Sequence, residues 1–587
     1  MIDFPRDLYI PWQMNNGALL YNDLSCNYGP LPHLVEAGFF RLFGPGLDVI
    51  IGLNIAITGC VLLLLRKIFN SIGNHLSGWL CSIVFLVVFA VPLYDNSTRS
   101  IYNFITPYAP QATYGFAGVL IIIYALLRHA NESRRRWMLI AGIGLGLAYL
   151  NKPELTLTAL GTLGIYLTIL FIQSWRQQEP KRGKMVKLLT MFIMVMAGFL
   201  AIYLPVFLIM AAEGGLAYSL RATNWVLQPL FNASYFQAVS SHFQDVQMGF
   251  DQPWTHLFNH FLWGTLLLAF CIALGLAGRA WQRAQPTDHS GQGALLFVLA
   301  ASFCAAFLTN WLMIGPSLLL PTVITAAGTV ALSYRRAWQG HAEPERYLKL
   351  AVVSTAALLM LLRMLLNVNI YGYGFFLAIL AALLLVHLLA YEAPLYWGRK
   401  NEPNLLLQIV FPLLVLVCVA QLGRQSLASY ANRTYTVGEG RDRFYAYTPN
   451  ISGDGAILNI VTSILHINFP DVKTVVALPE SMAVNYYSRK PSPVATMQYV
   501  PDALSMAGLD QVLAELKANP PDVMVLYARD MHEYGVAYFG ADEKSGKGIV
   551  DWVVKDYNPV FAYGQTPFSF SGHVIDIYVR PGIKPKR

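Results

Sequence analysis

Charge is what this sequence has least of. Asp, Glu, Lys and Arg make up only 13% of its 587 residues, about half the roughly 25% usual in a soluble globular chain. So low a share excludes a chain solvated by water over most of its length. Cysteine is thin as well. Cys60, Cys81, Cys271, Cys304 and Cys418 fall in apolar stretches and Cys26 stands alone in a polar one, so no intramolecular disulfide framework follows. The start lacks the basic residues and apolar core of a cleavable signal peptide. No nucleotide-binding glycine fingerprint follows the strand-like runs near the C-terminus. The net charge of +8 does not argue for a nucleic-acid partner, because the basic residues are dispersed through short loops between apolar runs.

Those apolar runs carry the organisation. About twelve spans of helical length lie between residues 47 and 421, which predicts a polytopic α-helical membrane protein with the lipid bilayer as its solvent. Arg66, Lys67, Arg134, Arg135, Arg136, Arg182, Arg335, Arg336, Arg399 and Lys400 fall in one set of alternate loops. The other set holds only Arg6, Arg41, Arg99, Lys152 and Arg221. By the positive-inside rule the first set is cytoplasmic. Residues 1–46, an expected polar loop, and residues 422–587 are then extracytoplasmic, flanking a transmembrane domain at 47–421. An extracytoplasmic start without a preceding helix implies either that a longer parent carries one more helix or that the first hairpin sets the orientation.

Some segments depart from a simple span. The stretch 137–150 is short, carries Gly142, Gly144 and Gly146, and ends on Asn151-Lys152-Pro153-Glu154. A charged pair there is expensive unless it faces water, a partner or a ligand. Between 211 and 259, Trp225, Leu227, Leu230, Phe231, Tyr235 and Phe236 alternate with Asn224, Gln228, Asn232 and Gln237, as in a helix lying in the membrane interface. From 422 onward, strand-like runs at 474–478, 522–527 and 574–579 alternate with helical stretches near 453–466 and 502–518, predicting a C-terminal extracytoplasmic α/β domain.

Chemistry is expected first in the opening loop. Asp7, between Arg6 and Tyr9, can accept a proton from an attacking hydroxyl; a helix cap or a salt bridge to Arg6 is the structural alternative. Tyr28-Gly29-Pro30-Leu31-Pro32 places a permissive glycine among rigid residues, as at a turn before a helix. Asp95, Asn96, Tyr102, Asn103, Tyr108 and Gln111 form the next polar loop and are side chains of the kind that bind hydroxyl-rich substrates. Arg363 stands near the outer end of the 348–366 span, followed by Asn367, Asn369, Tyr371 and Tyr373. Its guanidinium can hold a phosphate bidentately or snorkel to the surface, and Lys152 is a second cation at the same face. His256 and His260 are four residues apart, so both imidazoles share one helix face. With Asp251 or Glu154 they are candidate ligands of a divalent metal ion, or simply interfacial hydrogen-bonding groups.

Taken together, Arg6-Asp7-Leu8-Tyr9, Gly17-Ala18-Leu19-Leu20-Tyr21, Tyr28-Gly29-Pro30-Leu31-Pro32, the run from Tyr102 to Tyr108 and Asn151-Lys152-Pro153-Glu154 resemble the membrane-embedded glycosyltransferases of the GT-C type. The resemblance is to the bacterial relatives of protein O-mannosyltransferases and of the aminoarabinose transferase that modifies lipid A. It implies a GT-C-like helical fold, a bacterial inner-membrane location, a polyprenyl-phosphate-sugar donor and a lipid or glycan acceptor hydroxyl. On it Asp7 matches the acidic catalytic residue of the first extracytoplasmic loop. Arg6, Tyr9, Tyr28, Tyr102, Asn103, Tyr108, Lys152, Glu154 and Arg363 are substrate-binding, and His256 and His260 lie where some relatives bind a metal. Asp7 lacks the acidic neighbour of the protein mannosyltransferases, so a protein acceptor is not implied. A transporter or flippase of a lipid or polyol is the main alternative, although no internal repeat or midplane cluster of polar groups marks one. A non-catalytic scaffold is the third.

Overall fold

Two helices occupy the opening segment expected as a loop: α1 (Phe4–Asn15) and α2 (Leu31–Phe43). Pro5, Pro30 and Pro32 sit at or near their starts, where proline's fixed φ suits helix initiation and its missing N–H costs nothing. Leu8, Ile10, Met14 and Phe40 bury against Leu47, Ile50, Met482, Tyr486 and Met497. Those last three partners lie more than four hundred residues downstream, which is why the segment reads locally as polar and irregular. The computed structural model describes residues 4–93, 102–176, 181–228, 242–283, 311–339, 345–364, 366–398, 402–563 and 575–586. Asp95, Asn96, Leu230, Phe231, Asn232, Tyr235, Phe236, Gln237 and the expected span at 292–310 lie outside them.

The membrane helices follow in order: α3 (Leu47–Ile72), α4 (His75–Val84, continued by a π-helical turn Phe85–Ala90), α5 (Pro110–Glu132), α6 (Arg136–Tyr149), α7 (Pro153–Arg176) and α8 (Lys181–Gly214). Two short helices come next, α9 (Leu216–Thr223) and α10 (His242–Met248), in the region read as interfacial. Then come α11 (Pro253–Arg283), α12 (Trp311–Trp338), α13 (Glu345–Leu361), α14 (Gly374–Trp397) and α15 (Leu405–Ala431). Among the described residues eight helices are long and apolar enough to cross a membrane: α3, α5, α7, α8, the α10–α11 stretch, α12, α14 and α15. The chain is a multi-pass membrane protein. Three of the about twelve expected spans, at 77–94, 137–150 and 348–366, form α4 with its π turn, α6 and α13, which are shorter than those eight. At about 1.5 Å per residue, the 14-residue α6 falls short of the roughly 30 Å hydrocarbon core.

The glycines of α6 have a packing use that their spacing alone did not reveal. A Cβ on Gly142 would lie 2.0 Å from the Val195 carbonyl oxygen, and one on Gly198 of α8 would lie 2.0 Å from that of Leu139. Small residues at such crossings let membrane helices approach backbone to backbone. Helices α5 and α14 are central, with 78% and 72% of their apolar windows buried, against 17% for α8 at the rim.

Beyond α15 the chain forms a hairpin of β1 (Tyr435–Val437) and β2 (Phe444–Ala446), then α16 (Asp454–Ile467), β3 (Val475–Leu478), α17 (Met482–Ser488), α18 (Pro501–Ala507), α19 (Leu509–Ala518), β4 (Val523–Tyr527), α20 (Lys547–Asp556), β5 (Asn558–Tyr563) and β6 (Ile575–Val579). Their sheet order is β3-β4-β6-β5, parallel only between β3 and β4. Strand alternation sends Val476, Leu478, Met524 and Leu526 to one core and Val475, Ala477, Val523 and Val525 to another, so both faces are covered. The three expected strands and the helices between them are present; β5 and the hairpin went unread. This domain sits on the opening segment. Ser25 N–H donates to the Ala495 carbonyl at 2.9 Å, and Asp442 accepts from the Leu47 N–H at 2.9 Å. The two polar parts of the chain therefore share one side of the bundle.

Candidate functional site

The site begins where two sequence motifs meet. Gly29 N–H donates to the Asn151 carbonyl at 2.8 Å and Leu31 N–H to that of Leu150 at 3.4 Å, so the Tyr28–Pro32 turn is stitched to the turn between α6 and α7. A Cβ at Gly29 would lie 2.1 Å from the Leu150 carbonyl oxygen, which is backbone and has nowhere to move. Only glycine permits this approach. Gly29→Ala is expected to force the two turns apart, lowering the melting temperature by several degrees and reducing activity far more. Thermal unfolding and an activity assay on the same sample check both effects.

That stitch carries Tyr28 to Lys152. The Lys152 ammonium is 4.2 Å from the Tyr28 ring centroid and 4.7 Å from that of Tyr108, and it donates to the Tyr108 hydroxyl. Its carboxylate partner is Glu154, at 3.6 Å. Tyr108 in turn meets the Tyr373 ring at 5.0 Å, and the Arg363 guanidinium lies 6.0 Å from the Tyr373 centroid while donating to Gln244 Oε1 at 2.7 Å. On the other flank Arg6 lies 5.8 Å from the Tyr28 centroid and donates to the Tyr108 carbonyl at 3.1 Å. Three cations from α1, the α6–α7 turn and the segment after α13 are thus joined by three tyrosines. Burial pulls Lys152 down to about 8, with Glu154 opposing the shift and Arg363 and Arg6 adding to it. Arg363 stands in the turn just past the end of α13, rather than inside a span as its sequence position suggested.

Asp7 borders this cluster. It is 1% exposed, in the first turn of α1, where the helix dipole favours a carboxylate, and Arg6 Nε is 4.0 Å from its Oδ1. Behind it lies a network that residue-by-residue reading did not join. Gln111 Nε2 donates to the Gly29 carbonyl at 3.2 Å and faces His33 Nε2 at 3.0 Å. An amide donor there requires His33 Nε2 to accept, so the ring proton sits on Nδ1, 3.4 Å from Glu36 Oε2. Burial, reinforced by Asp7, holds the Glu36 carboxyl well above the usual carboxylate range. Burial, with Arg6 adding to it, pulls His33 down to about 3. Asp7 and Glu154 are then the carboxylates placed beside the cations, 4.0 Å from Arg6 and 3.6 Å from Lys152. The i,i+3 spacing of His33 and Glu36 after two prolines was the available signal for this pair.

Other expected site residues go elsewhere. Asn103 organises its loop, its Oδ1 accepting from Ile105 N–H at 3.1 Å and Thr106 N–H at 2.8 Å, and so sets up Tyr102, whose ring is 5.1 Å from that of Tyr108. Tyr9 turns toward the C-terminal domain and accepts from Ser492 N–H at 2.9 Å. His260 is buried with Nδ1 2.9 Å from the Pro316 carbonyl and Nε2 2.6 Å from that of Leu366. His256 lies 3.5 Å from Asp251. With both nitrogens of His260 directed at backbone carbonyls, the pair is not assembled as metal ligands. Among the described residues no three His, Cys, Asp or Glu side chains gather to hold a metal ion.

No family model matches the chain, and no curated protein does. Among solved structures it is similar to ArnT from Cupriavidus metallidurans bound to undecaprenyl phosphate, at 12% identity and a TM-score of 0.38, covering 98% of this chain and 93% of that one. It is also similar to the apo oligosaccharyltransferase of Archaeoglobus fulgidus, at 12% identity and a TM-score of 0.47, covering 97% and 71%.

Proposed function

We propose that this chain transfers a sugar from a polyprenyl-phosphate donor to an acceptor hydroxyl at the extracytoplasmic membrane face. The observation that carries this reading is the buried cation Lys152, caged by Tyr28 and Tyr108 and bordered by Arg6 and Arg363, in the turn between the apolar helices α6 and α7. Three cations here face two carboxylates, Asp7 and Glu154, and a lipid-linked phosphate adds an anion whose tail stays in hydrocarbon. Asp7 takes or orients the proton of the attacking acceptor hydroxyl as the bond from the sugar's anomeric carbon to the phosphate oxygen breaks. Lys152 and Arg363 offset the charge growing on the departing phosphate, an interaction strongest in the transition state. The sequence motifs that resemble GT-C enzymes support the same assignment.

The reading is tested with purified full-length protein in nanodiscs, given radiolabelled polyprenyl-phosphate sugars and a membrane extract; label should move to a lipid or glycan acceptor. It also makes a pH prediction. The free protein's Lys152 loses its proton near pH 8, and a neutral amine holds phosphate poorly. Donor kcat/KM, which reports the free enzyme, should be level below pH 8 and fall above it. In Lys152→Arg, whose guanidinium stays charged, that limb should disappear. A wild-type profile flat to pH 9.5 would remove Lys152 from the phosphate site.

A further inference from the structure

Between the opening segment and the C-terminal domain lies a cavity of about 220 Å³, with Arg6, Cys26 and Tyr28 on one side and Met497, Gln498 and Met506 on the other. It touches the cation cluster through Arg6 and Tyr28, and all of its lining comes from the opening segment and the C-terminal domain. We propose that this cavity binds one neutral, hydroxyl-rich ring, a single pyranose of the acceptor. The word acceptor rests on the transferase reading; the sugar site does not.

Size sets the first limit. The volume is below the roughly 300–1,000 Å³ of pockets that take drug-sized ligands, so one ring fits and a chain does not. The lining sets the second. Tyr28, Met497, Met506, Ala503 and Ala507 offer apolar surface, while Ser25, Asn27, Thr496 and Gln498 offer hydroxyls and amides that both donate and accept. A pyranose has the same division, an apolar ring face with hydroxyls at its edge. Charge sets the third. The lining contains neither an acidic side chain nor a lysine, and Arg6 is already engaged by Asp7 and the Tyr108 carbonyl.

The walls are built rather than incidental. Ser25 bridges to the opposite wall twice, through its N–H to Ala495 at 2.9 Å and by accepting from Met497 N–H at 3.3 Å. Thr496 is held by Glu515 at 3.2 Å, and Gln498 Nε2 donates to Glu480 at 3.1 Å, with Glu480 in turn paired to Arg529. That orientation presents Gln498 Oε1 as an acceptor. The C-terminal domain thus supplies half of a sugar site whose other half carries the cluster's tyrosine.

The test uses the full chain in nanodiscs and saturation-transfer NMR with methyl glycosides of glucose, galactose and mannose, methyl β-D-glucuronide and inorganic phosphate. At least one neutral glycoside should receive saturation. Its signal should fall more than fivefold in Ala503→Trp, which fills the cavity, and in Asn27→Ala, an exposed rim position where loss of folding is not in question. Binding of the glucuronide or phosphate alone, or equal glycoside signals in wild type and both variants, overturns the proposal. Lipid-linked transfer that proceeds without any glycoside binding overturns the pocket and leaves the transferase reading. Glycoside binding lost in the variants, with no transfer by any donor, upholds the pocket and removes that reading.

Discussion

Asp7→Asn is expected to lower sugar transfer by about 10²- to 10⁴-fold, the range for loss of a positioned general base, while the protein folds normally. Asparagine keeps the volume of the side chain in the first turn of α1, removes its charge and exchanges one acceptor oxygen for an amide donor. Arg6 then loses its neighbour at 4.0 Å but keeps its bond to the Tyr108 carbonyl, so the cluster stays together. The neighbouring Glu36 loses the negative charge that helps to hold its carboxyl above the usual carboxylate range, yet burial, the larger cause, remains. Label transfer from a radiolabelled donor, with circular dichroism on the same preparation, decides the matter. Transfer within a few-fold of wild type in a folded sample would mean that Asp7 is a structural residue of α1.

Lys152→Met separates function from stability more sharply. Donor turnover should fall by about 10²- to 10³-fold, as for removal of a preorganised group that meets developing charge. The melting temperature should stay level or rise. Burial and the two arginines make a charged Lys152 costly in the free protein, and an apolar side chain of similar length removes that cost. Glu154, at 19% exposure, keeps enough contact with solvent to tolerate the loss. A drop in stability together with full activity would identify Lys152 as a structural ion-pair partner. This variant and Asp7→Asn act through one site, so their effects should combine to much less than the product of the two.

Much of this organisation was legible from local chemistry. Long apolar runs mark most of the membrane helices because each must bury or immerse its whole surface. The strand runs at 475–478 and 523–527 are continuously apolar because each is covered on both faces. The motifs holding Asp7, Tyr28, Tyr108 and Lys152 stood out as polar groups where hydrocarbon begins. Hidden were the features that need a partner distant in sequence. Helix α1 is stabilised by Met482, Tyr486 and Met497, and no window around residue 10 contains them.

By itself, then, the sequence determined that this chain lies in a membrane, that polar chemistry gathers at one face, and which cations and carboxylate are available there. Composition and periodicity act residue by residue and survive any rearrangement of the helices. The tertiary structure alone decided which of those groups meet. Gly29 seats Tyr28 on the Lys152 turn, Tyr373 brings Arg363 toward Tyr108, and Tyr9 and His260 are drawn away to contacts elsewhere. Such pairings depend on backbone approach and packing between elements hundreds of residues apart, and no local pattern encodes them.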